Sequence, residues 1–287
     1  MNRARAIHEV KAASYRLRGV SVGGVYTSLQ VPELDAVFDV GMGLRTMAAT
    51  PQIFLSHAHA DHVGGLVSLL GIRGMMQKPA PRVFVPEASR EDLAAAIASH
   101  SRLQRHELSV DWVGVKPGDE FEIRAGCFVR VFRTHHVVPS VGYQIFRKVQ
   151  KLKSEFRDLE GAEIAKRRAA GESLLREEER LEVAYATDTL IRVLEKTPSL
   201  YQSRVLILEC TFLDDRKSKE AVRAGCHIHL DEIVERAELF QNEKLVLMHF
   251  SQIYAPAEVH RILDERLPPS LRERVVAFAP ERGGWPG

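Results

Sequence analysis

Four metal-binding side chains fall within six consecutive residues, His57-Ala58-His59-Ala60-Asp61-His62. Extended residues at i and i+2 point to one side of the chain, so His57 and His59 can bind one ion together. Asp61 and His62 follow where the chain turns toward a helix, and they aim at a neighbouring point. One ion does not accept all four comfortably from so short a loop, whereas two adjacent ions do. Imidazole and carboxylate donors suit zinc, with manganese or iron as alternatives. Gly64-Gly65 lets the backbone approach closely at the helix start. Further ligands are expected at the carboxyl ends of strands, where layered sheets place their sites. His136, Asp188 and His249 each follow an apolar run and meet that condition. His135 and His136 alternate to opposite faces, so only one of them can be a ligand.

The elements that must position these groups alternate along the chain. Strands are predicted at Val20–Val25, Thr27–Val31, Ala36–Val40, Ile53–Leu55, Val83–Val85, Trp112–Val115, Phe121–Ile123 and Phe128–Thr134. Helices are predicted at Val63–Leu70 and Glu91–His106 from the spacing of their apolar residues. The segment Arg147–Glu182 is highly charged and poor in β-branched residues, which predicts two helices broken near Gly161 and Gly171. Its first part, Arg147–Arg168, carries eight basic residues against four acids, and Glu172–Glu182 carries five Glu against Arg176 and Arg180. Beyond it, strands are expected at Val183–Thr187, Val205–Leu208 and Leu245–Met248, with a helix at Asp231–Phe240 between the last two. This order predicts two β-sheets packed face to face with helices outside, an α/β fold in four αββα layers formed by residues 1–287 as one domain.

Composition bounds the function. The 287 residues include 40 Lys plus Arg against 38 Asp plus Glu, 12 histidines and 45% hydrophobic residues, as in an ordinary globular protein. A disordered tail protein and a disulfide scaffold are excluded, since Cys127, Cys210 and Cys226 are few and scattered. No apolar run approaches the roughly 20 residues of a membrane span. The first residues lack the apolar centre of a secretory signal, so a reducing, cytoplasmic location is expected.

The motif His57-x-His59-x-Asp61-His62 with the later His136, Asp188 and His249 resembles the metallo-β-lactamase superfamily. Closer signals are His136-Val-Val-Pro-Ser-Val-Gly142-Tyr143, Ala186-Thr-Asp188-Thr189, Glu209-Cys-Thr211-Phe212, Gly225-Cys-His227-Ile-His229 and His249-Phe-Ser251-Gln-Ile-Tyr254. From about Gly19 to Ala279 the chain resembles the ribonuclease Z (tRNase Z) family, most of all its short plant-type form. The resemblance implies an endonuclease with two zinc ions that removes the 3′ trailer of precursor tRNA, and a homodimer. It implies that His57, His59 and His136 hold one ion, that Asp61, His62 and His249 hold the other, and that Asp188 bridges. Asp39 matches an aspartate that orients a histidine ligand. Glu209 and His227 match the family's catalytic pair, His227 protonating the leaving ribose 3′-oxygen and Asp61 orienting the attacking water. Thr211, Ser140 and Thr189 are candidates for hydrogen bonds to the phosphate. Two departures are visible: Ile253 stands where family members usually carry Arg, and Arg147–Glu182 has no proline where bacterial members extend a Gly-Pro-tipped arm. They motivate a second reading, a hydrolase of a small or cyclic phosphodiester; a third, of another class, is a non-catalytic RNA-binding scaffold.

Overall fold

In the computed structural model, residues 7–157 and 159–286 are described. Asp158, one of the four acids of the basic segment, lies outside them, as do the first six residues. Two seven-stranded sheets are laid down in strict chain order. The first holds β1 His8–Ala12, β2 Tyr15–Val22, β3 Tyr26–Val31, β4 Ala36–Phe38, β5 Gln52–Phe54, β6 Arg82–Pro86 and β7 Asp111–Val115. The second holds β8 Glu120–Arg124, β9 Cys127–Arg133, β10 Val141–Leu152, β11 Leu175–Ala186, β12 Val205–Glu209, β13 Lys244–Met248 and β14 Val275–Ala277. Both sheets are built alike. Strands β1 to β4 pair antiparallel and β4 to β7 parallel. Strands β8 to β11 pair antiparallel and β11 to β14 parallel.

The parallel strands explain the apolar runs of the sequence. All of β12, Val205–Glu209, is buried, because a parallel strand is covered on both faces. One core lies between the sheets and includes Leu29, Phe38, Phe54, Tyr143, Tyr185, Ile207 and Met248. A second packs α2 (Leu66–Met75) and α3 (Glu87–Gln104) on the first sheet. A third packs α5 (Arg192–Lys196), α7 (Leu230–Val234) and α8 (Pro256–Arg266) on the second, with α6 (Lys219–Ala224) preceding α7 in the chain. The layers are therefore αββα, as the alternation of elements implied. Tyr185 stacks on Phe38 at 4.7 Å between ring centroids and ties the two sheets together. Among the described residues, no helix is long and apolar enough to cross a membrane.

Three expected elements differ. The predicted helix Val63–Leu70 is two helices, α1 (Ala60–Val63) and α2, separated at Gly64-Gly65. A Cβ on Gly65 would stand 2.3 Å from the Gly43 backbone nitrogen, so the close approach of two loops requires glycine there. The predicted helix Asp231–Phe240 is only α7 followed by a 3-10 turn at Ala237–Leu239. The largest correction is Arg147–Glu182. Strands β10 and β11 run out of the sheet as a paired ribbon as far as Leu152 and Leu175, and only α4 (Gly161–Ala169), near the tip, is α-helical. Charged residues on both faces gave no two-residue hydrophobic period. Pairing supplies what propensity lacks: ladder hydrogen bonds and the cross-strand pairs Lys148–Glu177 at 3.5 Å and Lys151–Glu178 at 2.6 Å.

Candidate metal centre

Every metal-ligand candidate lies just past the carboxyl end of a strand or on α1. Asp39 follows β4, His57 and His59 follow β5, His136 follows β9, Asp188 follows β11 and His249 follows β13. Asp39, Asp188 and His249 have φ of 54°, 44° and 61°. A left-handed backbone costs a non-glycine residue on the order of 1–3 kcal/mol. Here it turns each side chain sharply off its strand into one space. Hydrogen bonds hold the turns: the Asp39 amide donates to Phe54 O at 3.0 Å, and the His249 amide donates to Ser21 Oγ at 3.1 Å.

Two clusters result. His59 Nδ1 lies 3.0 Å from His57 Nε2 and 3.2 Å from His136 Nε2. Asp188 Oδ2 stands 3.8 Å from the Nε2 atoms of His57 and His136. Around a small divalent ion with bonds of about 2.0–2.1 Å, tetrahedral ligand atoms sit about 3.3–3.4 Å apart, so these four donors have the spacing of a coordination shell. The other oxygen of the same carboxylate faces the second cluster. Asp188 Oδ1 is 3.4 Å from His62 Nε2 and 3.2 Å from His249 Nε2, and Asp61 Oδ2 is 3.5 Å from His62 Nε2. The Nε2 atoms of His62 and His249 are buried without a hydrogen-bond partner. Orphaned lone pairs in a buried polar space are costly unless something fills it. A divalent cation fits both clusters.

Electrostatics agree with that chemistry. Burial, reinforced by the neighbouring imidazoles, drives His57 down to about 2, and burial also lowers His136 and His249. These rings stay neutral, the form that binds metal. His62 is the exception: burial opposes its charge, but Asp188 and Asp39 raise it well above the ordinary histidine value. Without metal it holds a proton that a cation would displace. Asp61 is held at about 2, because His62 outweighs the burial that opposes ionisation.

Asp39 is fully buried and saturated with donors. Its Oδ1 accepts from the Ser56 amide at 2.7 Å, and its Oδ2 accepts from Ser56 Oγ at 2.8 Å, Tyr185 Oη at 2.6 Å and His62 Nδ1 at 2.7 Å. It orients a histidine as expected, whereas sequence reasoning missed Ser56 and Tyr185. A hydroxyl directly before the first histidine was the one available signal.

Glu209 and His227 meet beside the second cluster. Glu209, fully buried, accepts from the Thr189 amide at 2.5 Å, Thr211 Oγ1 at 2.6 Å and the Ile228 amide at 3.2 Å. His227 Nδ1 stands 3.2 Å from both of its oxygens. Burial works against a charge on His227, but Glu209 and then Asp188 outweigh it and push the ring up to about 9. Two of the expected phosphate donors have their protons engaged, Thr211 Oγ1 donating to Glu209 and Thr189 Oγ1 to Leu190 O at 3.3 Å, whereas Ser140 Oγ accepts from Thr134 Oγ1 and keeps its own proton. His229 caps α7 in a capping box with Glu232, and His135 Nδ1 accepts from Arg192 at 3.0 Å. A cleft of about 620 Å³ opens beside His136, with Lys116 and Arg133 among its lining.

Residues 34–250 match the beta-lactamase superfamily domain. The chain is 36% identical over 266 residues to tRNase Z TRZ1 of Arabidopsis thaliana, covering 92% of this chain and 95% of that one. Among solved structures it is similar to the metallo-beta-lactamase fold protein YhfI of Bacillus subtilis, with a TM-score of 0.57 at 13% identity over 94% of each chain. It is similar also to human tRNase Z, short form, with a TM-score of 0.55 at 18% identity over 81% of this chain and 92% of that one.

Proposed function

The chain belongs to the tRNase Z family of the beta-lactamase superfamily, and on that footing we propose that it is an endonuclease that removes the 3′ trailer of precursor tRNA using two zinc ions. The observation that carries the reading is the split carboxylate of Asp188, one oxygen toward His57 and His136 and the other toward His62 and His249. His57, His59 and His136 would hold one ion and Asp61, His62 and His249 the other, with Asp188 shared. Bound there, two divalent cations make a water acidic enough to ionise near neutral pH and draw off charge from the phosphate.

The chain's own residues supply the rest. Asp61, ionised and part-exposed, orients the attacking water and accepts its hydrogen bond. The water oxygen bonds to phosphorus as the bond from phosphorus to the ribose 3′-oxygen breaks. His227, protonated at neutral pH and 21% exposed, gives that oxygen its proton. Glu209 holds the imidazole by Nδ1, which leaves Nε2 for the substrate. The products are tRNA with a 3′-hydroxyl and a trailer with a 5′-phosphate.

Charge supports an RNA substrate. Near the centre, the side chains of Lys116, Arg133, Arg192 and Lys196 are exposed and form no ion pair among the described residues. On the ribbon, Glu177, Glu178 and Glu179 engage Lys148, Lys151 and Arg130, so the cations without an ion pair among the described residues collect at the tip: Lys153, Arg157, Lys166 and Arg168. In the proposed homodimer, that tip would grip RNA for either active site. Ile253, 49% exposed where relatives usually carry Arg, favours a second reading, hydrolysis of a small phosphodiester. Purified protein with zinc or manganese is expected to convert precursor tRNA into tRNA ending in a 3′-hydroxyl. Cleavage of bis(p-nitrophenyl) phosphate without cleavage of precursor tRNA would select the second reading.

A further inference from the structure

Each half of the metal centre contains a histidine whose outer ring nitrogen rests on a hydroxyl, and each hydroxyl rests on a buried carboxylate. On one side His57 Nδ1 lies 2.9 Å from Ser56 Oγ, and Ser56 Oγ lies 2.8 Å from Asp39 Oδ2. On the other, His249 Nδ1 lies 3.1 Å from Thr211 Oγ1, which lies 2.6 Å from Glu209 Oε2. The two chains of contacts share no residue and come from different sheets.

Proton counting gives them a direction. A hydroxyl has one proton to donate, and an ionised carboxylate only accepts. Asp39 and Glu209 each receive several donors, Asp39 from Ser56, Tyr185 and His62, and Glu209 from Thr189, Thr211 and Ile228. Both are therefore acceptors, and the hydroxyl protons of Ser56 and Thr211 go to them. Each hydroxyl oxygen then has only lone pairs left for its histidine. The proton between them must sit on Nδ1, and Nε2 is left bare. Nε2 of His249 is the buried atom without a partner, and Nε2 of His57 faces His59 and Asp188.

We propose that Ser56 and Thr211 are matched positioning residues that lock the tautomer of one histidine in each half of the centre, so that His57 and His249 present Nε2 to their separate ions. The inference rests on the two-metal reading above. It gives Thr211 a different task from contacting phosphate, and it links the Glu209–His227 pair to one metal position through a single hydroxyl.

The test is a zinc titration of the metal-free full-length chain against a chromophoric chelator, with thermal unfolding of the metal-free chain as the control for folding. Thr211→Val removes the hydroxyl at nearly constant volume and frees the His249 ring to carry its proton on Nε2. One of the two zinc-binding steps is expected to weaken about 10- to 100-fold while the other holds, the scale found for partners behind metal ligands. Ser56→Ala is expected to weaken the other step. Thr211→Ser, which keeps the hydroxyl, restores the lost affinity. Thr211→Val added to His249→Ala should change nothing further, since the ring it positions is gone. If the valine variant unfolds, Thr211→Ala serves in its place. A wild-type chain that takes up fewer than two zinc ions would overturn the two-metal reading itself. Two zinc ions bound by wild type, with both steps unchanged or both weakened alike in the Thr211 variants, would overturn the inference alone.

Discussion

Replacing Glu209 by Gln keeps the shape of the site and removes the charge that raises His227. The carboxylate is fully buried and lies 3.2 Å from His227 Nδ1, so solvent screens it little. With it, His227 stands at about 9; without it, the same burial opposes the charge and the ring falls to the ordinary value of 6.5 or below. The acid form does the work, so activity is lost as pH rises through the ring's pKa, and the variant loses it earlier. At pH 8 an acid of pKa about 9 is about 90% protonated and one of 6.5 about 3%, so the variant is expected to be about 30-fold slower there from this cause alone. At pH 6 the two converge toward the smaller loss from weakened orientation. Bound cations lower both values, so the quantity to read is the displacement between the two profiles. The assay is kcat for precursor tRNA between pH 5.5 and pH 10 at saturating metal. Bis(p-nitrophenyl) phosphate is the control, because its acidic leaving group departs without a proton and its profile should not be displaced on the alkaline side. Superimposable tRNA profiles for wild type and E209Q would refute the assignment of His227 as the acid tuned by Glu209.

Other consequences are open to direct measurement. Asp188→Asn weakens both ends of the bridge, so elemental analysis after zinc loading should find a clear loss of bound metal, with activity reduced by at least about 100-fold. Glu182, fully buried, accepts from Tyr15 at 2.7 Å, Arg180 at 2.6 Å and Arg204 at 3.0 Å, and these partners hold its carboxyl below the usual range despite burial. Its stabilisation is present above the unfolded-state value of about 4.3 and lost as pH falls through the folded one, so Glu182→Gln should cost about 1–3 kcal/mol at pH 7 in urea unfolding and progressively less in acid. Reversing Lys153, Lys166 and Arg168 to Glu should raise KM for precursor tRNA and flatten its salt dependence, each lost phosphate contact lowering the logarithmic slope by about 0.7–0.9.

The metal loop was legible in the sequence because its chemistry is local: six residues after a short apolar strand carry four ligating side chains and can be read without knowing the fold. His136, Asp188 and His249 were legible one step less directly, as polar residues ending apolar runs, and β9, β11 and β13 do deliver them, the first from the antiparallel half of its sheet. The ribbon was misread for a physical reason. Its charges pair across strands, Lys148 with Glu177 and Lys151 with Glu178, and a pattern set by partners some 30 residues away leaves no period in either strand alone. Strands β1 and β14 were not anticipated, because a five-residue edge strand with alternating exposure and a three-residue strand carry little signal. The roles of Ser56 and Tyr185 were hidden differently. A serine beside a histidine and a tyrosine in a strand have ordinary explanations, and only packing the two sheets together puts both hydroxyls on Asp39.

That junction explains how a polar metal centre is held against so closed a core. Asp39 ends a strand of the first sheet and Tyr185 belongs to the second, yet the tyrosine ring stacks on Phe38 while its hydroxyl donates to Asp39. The contact that joins the sheets is thus continuous with the contact that orients His62 and, through Ser56, His57. Glu209 plays the corresponding part in the second sheet, reaching His227 directly and His249 through Thr211. Sliding one sheet against the other would disturb these carboxylates before it opened the space between the metal clusters. The left-handed turns at Asp39 and His249 carry strain that hydrogen bonds from their own amides retain. The geometry of the centre is therefore a property of how the two sheets pack, and substitutions at Phe38 or Tyr185, neither of them a proposed ligand, should weaken zinc binding in a titration of the metal-free chain against a chromophoric chelator.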